Sequence, residues 1–185
     1  MWGENVYQLH AGDFANHGVV VDVGANIGAV TVWAAAHGAR VIAVEPQPDN
    51  LRLLRQNIAD NKVDATVYER AVGTERGEVF ISDRHGNSKV GTDGTSVQMV
   101  RLEDVFTDHG ITECAVLKID IEGSEYPLIA GASIETLNMV RYLTMEFDGA
   151  TDEVFGGMIA KLAKVFNTHI IGSPERGGYI YAHRY

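Results

Sequence analysis

The stretch that decides the fold runs from Val19 to Val44 and reads VVVDVGANIGAVTVWAAAHGARVIAV. Val19–Val23 is a short β-branched run, the composition of a strand, and it stops at a glycine-containing loop. Ile27–Ala36 follows as a mostly apolar helical segment, closed by Gly38. Arg40–Val44 is a second β-branched run. Strand, helix and strand in that order predict two parallel strands joined by a right-handed crossover. Further along, Asp49–Asn61 places Leu51, Leu54 and Ile58 at helical spacing, and Ala65–Glu69 reads as a third strand. The fold class expected is therefore α/β, a mostly parallel, Rossmann-like sheet with helices on both faces.

The middle of the chain changes character. Arg76–Gly94 is rich in Gly, Asp, Ser and Asn around a short apolar piece, Val79–Ile81, and reads as a hairpin or a loop insertion. Ser96–Leu102 is expected to be extended, with a helical turn at Glu103–Phe106. Alternation then resumes. Ala115–Ile121 is a strand, Ser124 a cap for a helix from Glu125, and Arg141–Phe147 a strand. Asp152–Phe166 is an amphipathic helix with Val154, Phe155, Ile159, Leu162 and Val165 or Phe166 inward. His169–Ile171 and Tyr179–His183 flank a turn-rich SPERGG and form an antiparallel hairpin. No repeat, linker or second domain is visible, so residues 1–185 are expected to form a single domain.

Composition bounds the function. The 185 residues carry a net charge of −10, with 45% hydrophobic and 22% charged residues. An acidic chain of ordinary hydrophobicity argues against an extended nucleic-acid surface and against docking on anionic membranes. The first residues lack the basic and apolar regions of a signal peptide, and no apolar run approaches a membrane span. A soluble, cytoplasmic protein is expected. The single cysteine, Cys114, rules out an internal disulfide and reads as a small buried hydrophobe.

Two motifs carry chemistry. In VDVGANIG, Asp22, Gly24, Asn26 and Gly28 alternate across a strand-to-helix turn, where glycine permits close backbone approach and helix amides face a ligand. Glu45 ends the next strand, where a carboxylate can accept hydrogen bonds from ribose hydroxyls. A nucleoside-containing cofactor fits this pair. The spacing misses the G-x-G-x-x-G of a dinucleotide loop, and an acidic Asp22 suits the amino group of a methionine moiety, which favours S-adenosylmethionine over NAD. The second motif, LKIDIEGSEY at Leu117–Tyr126, puts Lys118, Asp120 and Glu122 on one face of a strand whose other face is Leu117, Ile119 and Ile121. In an open α/β sheet, Asp120 and Glu122 would sit at the ligand-binding carboxyl end, with Lys118 deeper, paired with Asp120 or Glu146 or turned to an acceptor.

VDVGANIG, VEPQPDN and LKIDIEGSE, in that order, resemble the FkbM family of S-adenosylmethionine-dependent methyltransferases. RAVGTERGEVFIS and TSVQMVRLEDVF are similar to the family as well, so the resemblance spans Val19 to Phe147. It implies a class I methyltransferase sheet of seven strands with the last antiparallel, and O-methylation of a hydroxyl on a sugar or other small molecule. It further implies that Asp22, Gly24, Ala25, Asn26 and Gly28 cradle the methionine part, that Glu45 holds the ribose, and that Glu69 to Ala71 lie near the adenine. Asp120 and Glu122 would flank the transferable methyl. The tail past Phe147 is less similar to the family, and the acceptor is expected to be read there and by the N-terminal arm.

Methyl transfer to a hydroxyl needs a proton acceptor, and Asp120 or Glu122 is the candidate base, with Lys118 orienting the acceptor or opposing their charge. A carboxylate suited to this role has its pKa raised by burial or by like charge, which Asp120, Glu122 and Glu146 are placed to exert on one another. Mg²⁺ held by Asp120 with Glu146 or Asp148 is a second route, less favoured. His85, in the Asp83–Gly94 loop, and His10 and His17, near the first strand, could approach the acceptor, though each reads first as a surface residue. A NAD-dependent oxidoreductase and a non-catalytic nucleoside-binding domain are the alternatives.

Overall fold

A computed structural model of the chain describes residues 5–14, 17–84, 87–91 and 94–185, and for 82–84 and 87–91 it describes the backbone. Strands β1 (Val19–Val23), β2 (Arg40–Val44) and β3 (Thr66–Tyr68) are parallel, linked by α1 (Ala29–Ala36) and α2 (Pro48–Asp60). Next come β4 (Ala71–Gly73), β5 (Gly77–Arg84), β6 (Asn87–Gly91), β7 (Thr95–Arg101) and α3 (Leu102–Asp108). The chain continues through β8 (Cys114–Ile119), α4 (Glu125–Gly131), α5 (Ile134–Asn138) and β9 (Val140–Phe147). It finishes with α6 (Asp152–Leu162), β10 (Phe166–Ser173) and β11 (Gly177–Arg184).

The main sheet has seven strands in the order β10-β11-β9-β8-β1-β2-β3. It is parallel except for β11, which runs antiparallel to both neighbours. The C-terminal hairpin thus inserts its last strand inside the sheet and leaves β10 at the edge. This is the class I methyltransferase arrangement, with the strand order reversing between β1 and β8, where ligands bind in open α/β sheets. The segment from 76 to 94 contributes the β5–β6 hairpin to a second sheet, β4-β7-β5-β6.

Each face of the main sheet is buried. On one face Val21, Val23, Leu117, Ile119, Leu143 and Met145 pack with α3 to α6. On the other, Val20, Val41 and Val116 pack with α1 and with Leu9 and Phe14 of the N-terminal segment, and Ala43 packs against Leu51 and Leu54 of α2. β1 and β8, at the centre of the sheet, are apolar on both sides except for Asp22 and Lys118, a polar row that continues to Thr144 of β9.

Several boundaries differ from the sequence reading. α1 starts at Ala29, because Gly28 caps it in the left-handed conformation. β8 stops at Ile119, and Glu122 has φ +55, so the alternation that links Lys118 to Asp120 does not extend to Glu122. Ser124 precedes α4 without a side-chain cap. The loop is instead tied by the Glu125 carboxylate, which accepts from the amides of Ile121 and Gly123. α6 ends at Leu162, with Val165 and Phe166 buried beyond it and Phe166 already paired with Arg184. Val154, expected inward, is 47% exposed, being in the helix's first turn. α5 had no counterpart in the sequence reading.

Candidate active site

A cleft enclosing about 700 Å³, part of it open to solvent, lies at the carboxyl ends of β1, β2 and β8. At one end is Glu45, just past β2 and only 4% exposed. Its Oε2 accepts from the Asn26 amide at 2.8 Å, and its Oε1 from the Gln47 amide at 2.9 Å and from Asn50 Nδ2 at 3.4 Å. Burial pushes its pKa up, and these hydrogen bonds oppose the rise. Of the roughly four lone-pair sites of a carboxylate, one on Oε2 is left for a hydroxyl in the cleft. Ala71, Val72 and Ile81 continue the wall as an apolar surface, with Arg70 beside them.

The loop between Glu45 and β8 is set by backbone geometry. Gly24 has φ +75, and a Cβ there would fall 1.7 Å from the Asp120 carbonyl oxygen, so only glycine lets the two strand ends meet. Asn26 has φ +51, a conformation asparagine adopts more readily than most residues. Gly24 and Asn26 line the cleft. Ala25 and Gly28 do not reach its wall. Ala25 is buried with Leu51 and Leu54, and a Cβ on Gly28 would strike Leu54 at 2.4 Å, so that glycine serves helix packing.

The other end of the cleft holds Asp120, Ile121, Glu122 and Ser124. Asp120 is anchored through Oδ2, which accepts from the Tyr7 hydroxyl at 2.7 Å and lies 3.7 Å from Lys118 Nζ. Lys118 is 3% exposed and does not face the cleft. Its ammonium donates to the carbonyl oxygens of Gly24 at 2.6 Å and Val23 at 3.4 Å, and stands 3.1 Å from Asp22 Oδ1. Asp22 is fully buried and takes a second contact from Thr31 Oγ1 at 2.7 Å. The lysine in the middle of the sheet therefore compensates a buried carboxylate and ties the loop carbonyls to Asp120. Asp22 lies beneath the loop, and its charge is met by Lys118.

Glu146, on β9, has its pKa raised by burial first and then by the charges of Asp120 and Glu122. Of the three carboxylates, Glu146 is the one on which this like-charge effect is seen. Tyr7 was not anticipated. It lies more than a hundred residues from Asp120, and the sequence around it carries no motif.

Other candidates fall elsewhere. Glu69 turns outward and pairs with Arg55 of α2. His17 is exposed before β1, beside Arg40 and Asp64 at the opposite end of the strands. His10 is exposed, its amide bonded to Asp13. His85 lies outside the described residues. Among the described residues, no group of three or more His, Cys, Asp or Glu side chains is arranged to hold a metal ion. Cys114 is buried, and burial pushes its thiol up to about 12. No helix among the described residues is long and apolar enough to cross a membrane.

A family model for the methyltransferase FkbM domain matches residues 22–181. The 31-O-demethyl-FK506 methyltransferase FkbM of Streptomyces tacrolimicus is 28% identical, the match covering 82% of this chain and 74% of that protein. The methyltransferase sdnD of Sordaria araneosa is 25% identical, over 77% of this chain and 72% of its own length. Among solved structures, an rRNA methylase from Streptococcus thermophilus aligns with a TM-score of 0.58 at 13% identity, covering 94% of this chain and 90% of that one. M. capricolum TrmK, solved with S-adenosyl-homocysteine, aligns with a TM-score of 0.55 at 7% identity, covering 94% and 65%. At such identities the structural likeness shows the fold alone.

Proposed function

Because the chain belongs to the FkbM methyltransferase family, we propose that this S-adenosylmethionine-dependent methyltransferase methylates a hydroxyl oxygen on a sugar or other small molecule, within one domain over residues 1–185. The observation that carries the reading is the cleft itself, with a buried carboxylate, Glu45, at one end and Asp120 with Glu122 at the other. The name of the Streptomyces relative describes methylation at an oxygen of 31-O-demethyl-FK506, which supports an oxygen acceptor here. The net charge of −10 favours a small acceptor over an extended nucleic-acid surface.

The residues fit the cofactor. Glu45 would receive a ribose hydroxyl, Ala71, Val72 and Ile81 the adenine, and the Gly24–Asn26 backbone the methionine part. S-adenosylmethionine, when bound, supplies an electrophilic methyl group and leaves as S-adenosylhomocysteine. Asp120 or Glu122 would take the proton from the acceptor hydroxyl as its oxygen becomes the nucleophile. Glu146, close enough to feel the charges of Asp120 and Glu122, adds a third carboxylate to this end of the cleft. Lys118 serves by holding Asp120 and the Gly24 carbonyl in place.

Calorimetric titration with S-adenosylhomocysteine and, separately, NAD tests the cofactor assignment. Binding of the first alone is expected, and binding of NAD alone would overturn it. A screen of 31-O-demethyl-FK506 and simple sugars, read by mass spectrometry, then tests the acceptor. Methylation at carbon or nitrogen, with no oxygen product, would sink the hydroxyl reading. Product absent from every acceptor despite cofactor binding would favour the non-catalytic alternative.

A further inference from the structure

Tyr7 lies outside residues 22–181, the span of the family model, yet its side chain bonds to Asp120, which lines the cleft. Its hydroxyl donates to Asp120 Oδ2 at 2.7 Å. Its ring carries the Lys118 ammonium 5.4 Å from the centroid and meets the Tyr179 ring edge-on at 6.2 Å. The backbone around it is fixed from below. The Tyr7 carbonyl accepts from the Tyr142 hydroxyl at 3.1 Å, and the Val6 carbonyl from the Tyr181 hydroxyl at 2.6 Å. The Asn5 side chain closes the turn, accepting from the Leu9 amide and donating to the Leu9 carbonyl. Leu9 and Phe14 then anchor the segment in the core.

The segment thus meets Asp120 and three strands, β8, β9 and β11, at separate points. Burial, followed by the Asp120 charge, pushes the Tyr7 hydroxyl far above the ordinary tyrosine range, so it stays a donor at neutral pH. Both contacts on Asp120 fall on the same oxygen, Oδ2.

We propose that Tyr7 is a positioning residue of the methyl-transfer site: it clamps Asp120 by Oδ2, so that Oδ1 is the oxygen presented to the sulfonium side of the cofactor and to the acceptor hydroxyl. This rests on the cofactor assignment above. A carboxylate held beside a sulfonium distinguishes S-adenosylmethionine, which is cationic at sulfur, from S-adenosylhomocysteine, which is neutral there. The N-terminal segment is then part of the active site, acting through Asp120.

The test is calorimetric titration of the wild type, Tyr7→Phe, Asp120→Asn and the double variant with each of the two cofactor forms, with melting temperature as a check on folding. Tyr7→Phe keeps the ring and its contact with Lys118 and removes the hydrogen bond alone. The expected result is a loss of about 10-fold in affinity for S-adenosylmethionine, the scale of one hydrogen bond to a charged group. Affinity for S-adenosylhomocysteine should change by less than about 2-fold, and the double variant should be no weaker than Asp120→Asn. Equal losses for both ligands, no loss for either, or losses that add in the double variant would overturn the proposal. If the wild type binds neither ligand, the cofactor assignment fails first, a result distinct from the other three.

Discussion

The two ends of the cleft are built in different ways. At the Glu45 end the partners are close in sequence: Asn26, Gln47 and Asn50, no more than 19 residues away. At the Asp120 end they come from across the chain, with Tyr7 113 residues from Asp120 and Lys118 94 residues from the Gly24 carbonyl it holds. The first end is a local structure that follows from a strand, a loop and the next strand. The second exists only once β1, β8 and the N-terminal segment are in register. One half of the site depends on local geometry and the other on global folding, so damage at the first should appear as lost binding alone, and at the second, where a buried charge loses its partner, as lost stability too.

The long-range end carries the strongest test. Lys118→Met leaves the buried Asp22 charge uncompensated and should cost about 3–5 kcal/mol of stability, read by urea unfolding. Adding Asp22→Asn should recover part of that loss. A loss below about 1 kcal/mol would show that the row does not hold the sheet together.

Glu45→Gln probes the local end. Removing one charged acceptor should weaken S-adenosylhomocysteine binding about 10- to 100-fold, while the melting temperature shifts little. A variant that binds as the wild type does would remove Glu45 from the ribose role.

A pH titration of stability sharpens the contrast at Glu146, whose pKa is raised by burial and then by Asp120 and Glu122. Between the ordinary glutamate value and the raised one, the folded state binds more protons than the unfolded state. Stability therefore falls as pH rises through that window, and the loss is complete above the folded value. Glu146→Gln should flatten this fall, measured as the urea midpoint from about pH 4 to about pH 8. An unchanged slope would show that Glu146 is not the group under strain.

The smallest effect is at Asn26. With φ +51, Asn26→Ala should cost about 1 kcal/mol and Asn26→Gly should lie within about 0.5 kcal/mol of the wild type. Equal effects from both would mean that the side chain, rather than the backbone conformation, matters there.

Much of the fold is legible because it is periodic. The β-branched runs at Val19–Val23 and Arg40–Val44 have the bounds of β1 and β2, and Leu51 and Leu54 mark the buried face of α2. Legibility fails where one residue answers to two neighbours. Val154 has the right helical spacing but sits in a first turn with nothing above it. Glu69 follows β3 as expected, yet an arginine one helix away takes its side chain outward. Ala25 and Gly28 belong to the right loop but face Leu54.

By itself the sequence determines that strands and helices alternate, that a glycine loop follows β1, and that carboxylates stand at the ends of β2 and β8. All of these depend on side-chain type and spacing over a few residues. The tertiary structure alone decides that Lys118 answers Asp22, that Asp120 is clamped by Tyr7, and that the polar row lies buried under the N-terminal segment. The first follows from the register Asp22↔Lys118↔Thr144 between strands far apart in the chain, and the second from the packing of the N-terminal segment on Tyr142 and Tyr181. Burying a charge is tolerated only where the opposite charge arrives from elsewhere in the fold, and no local pattern records which residue that will be.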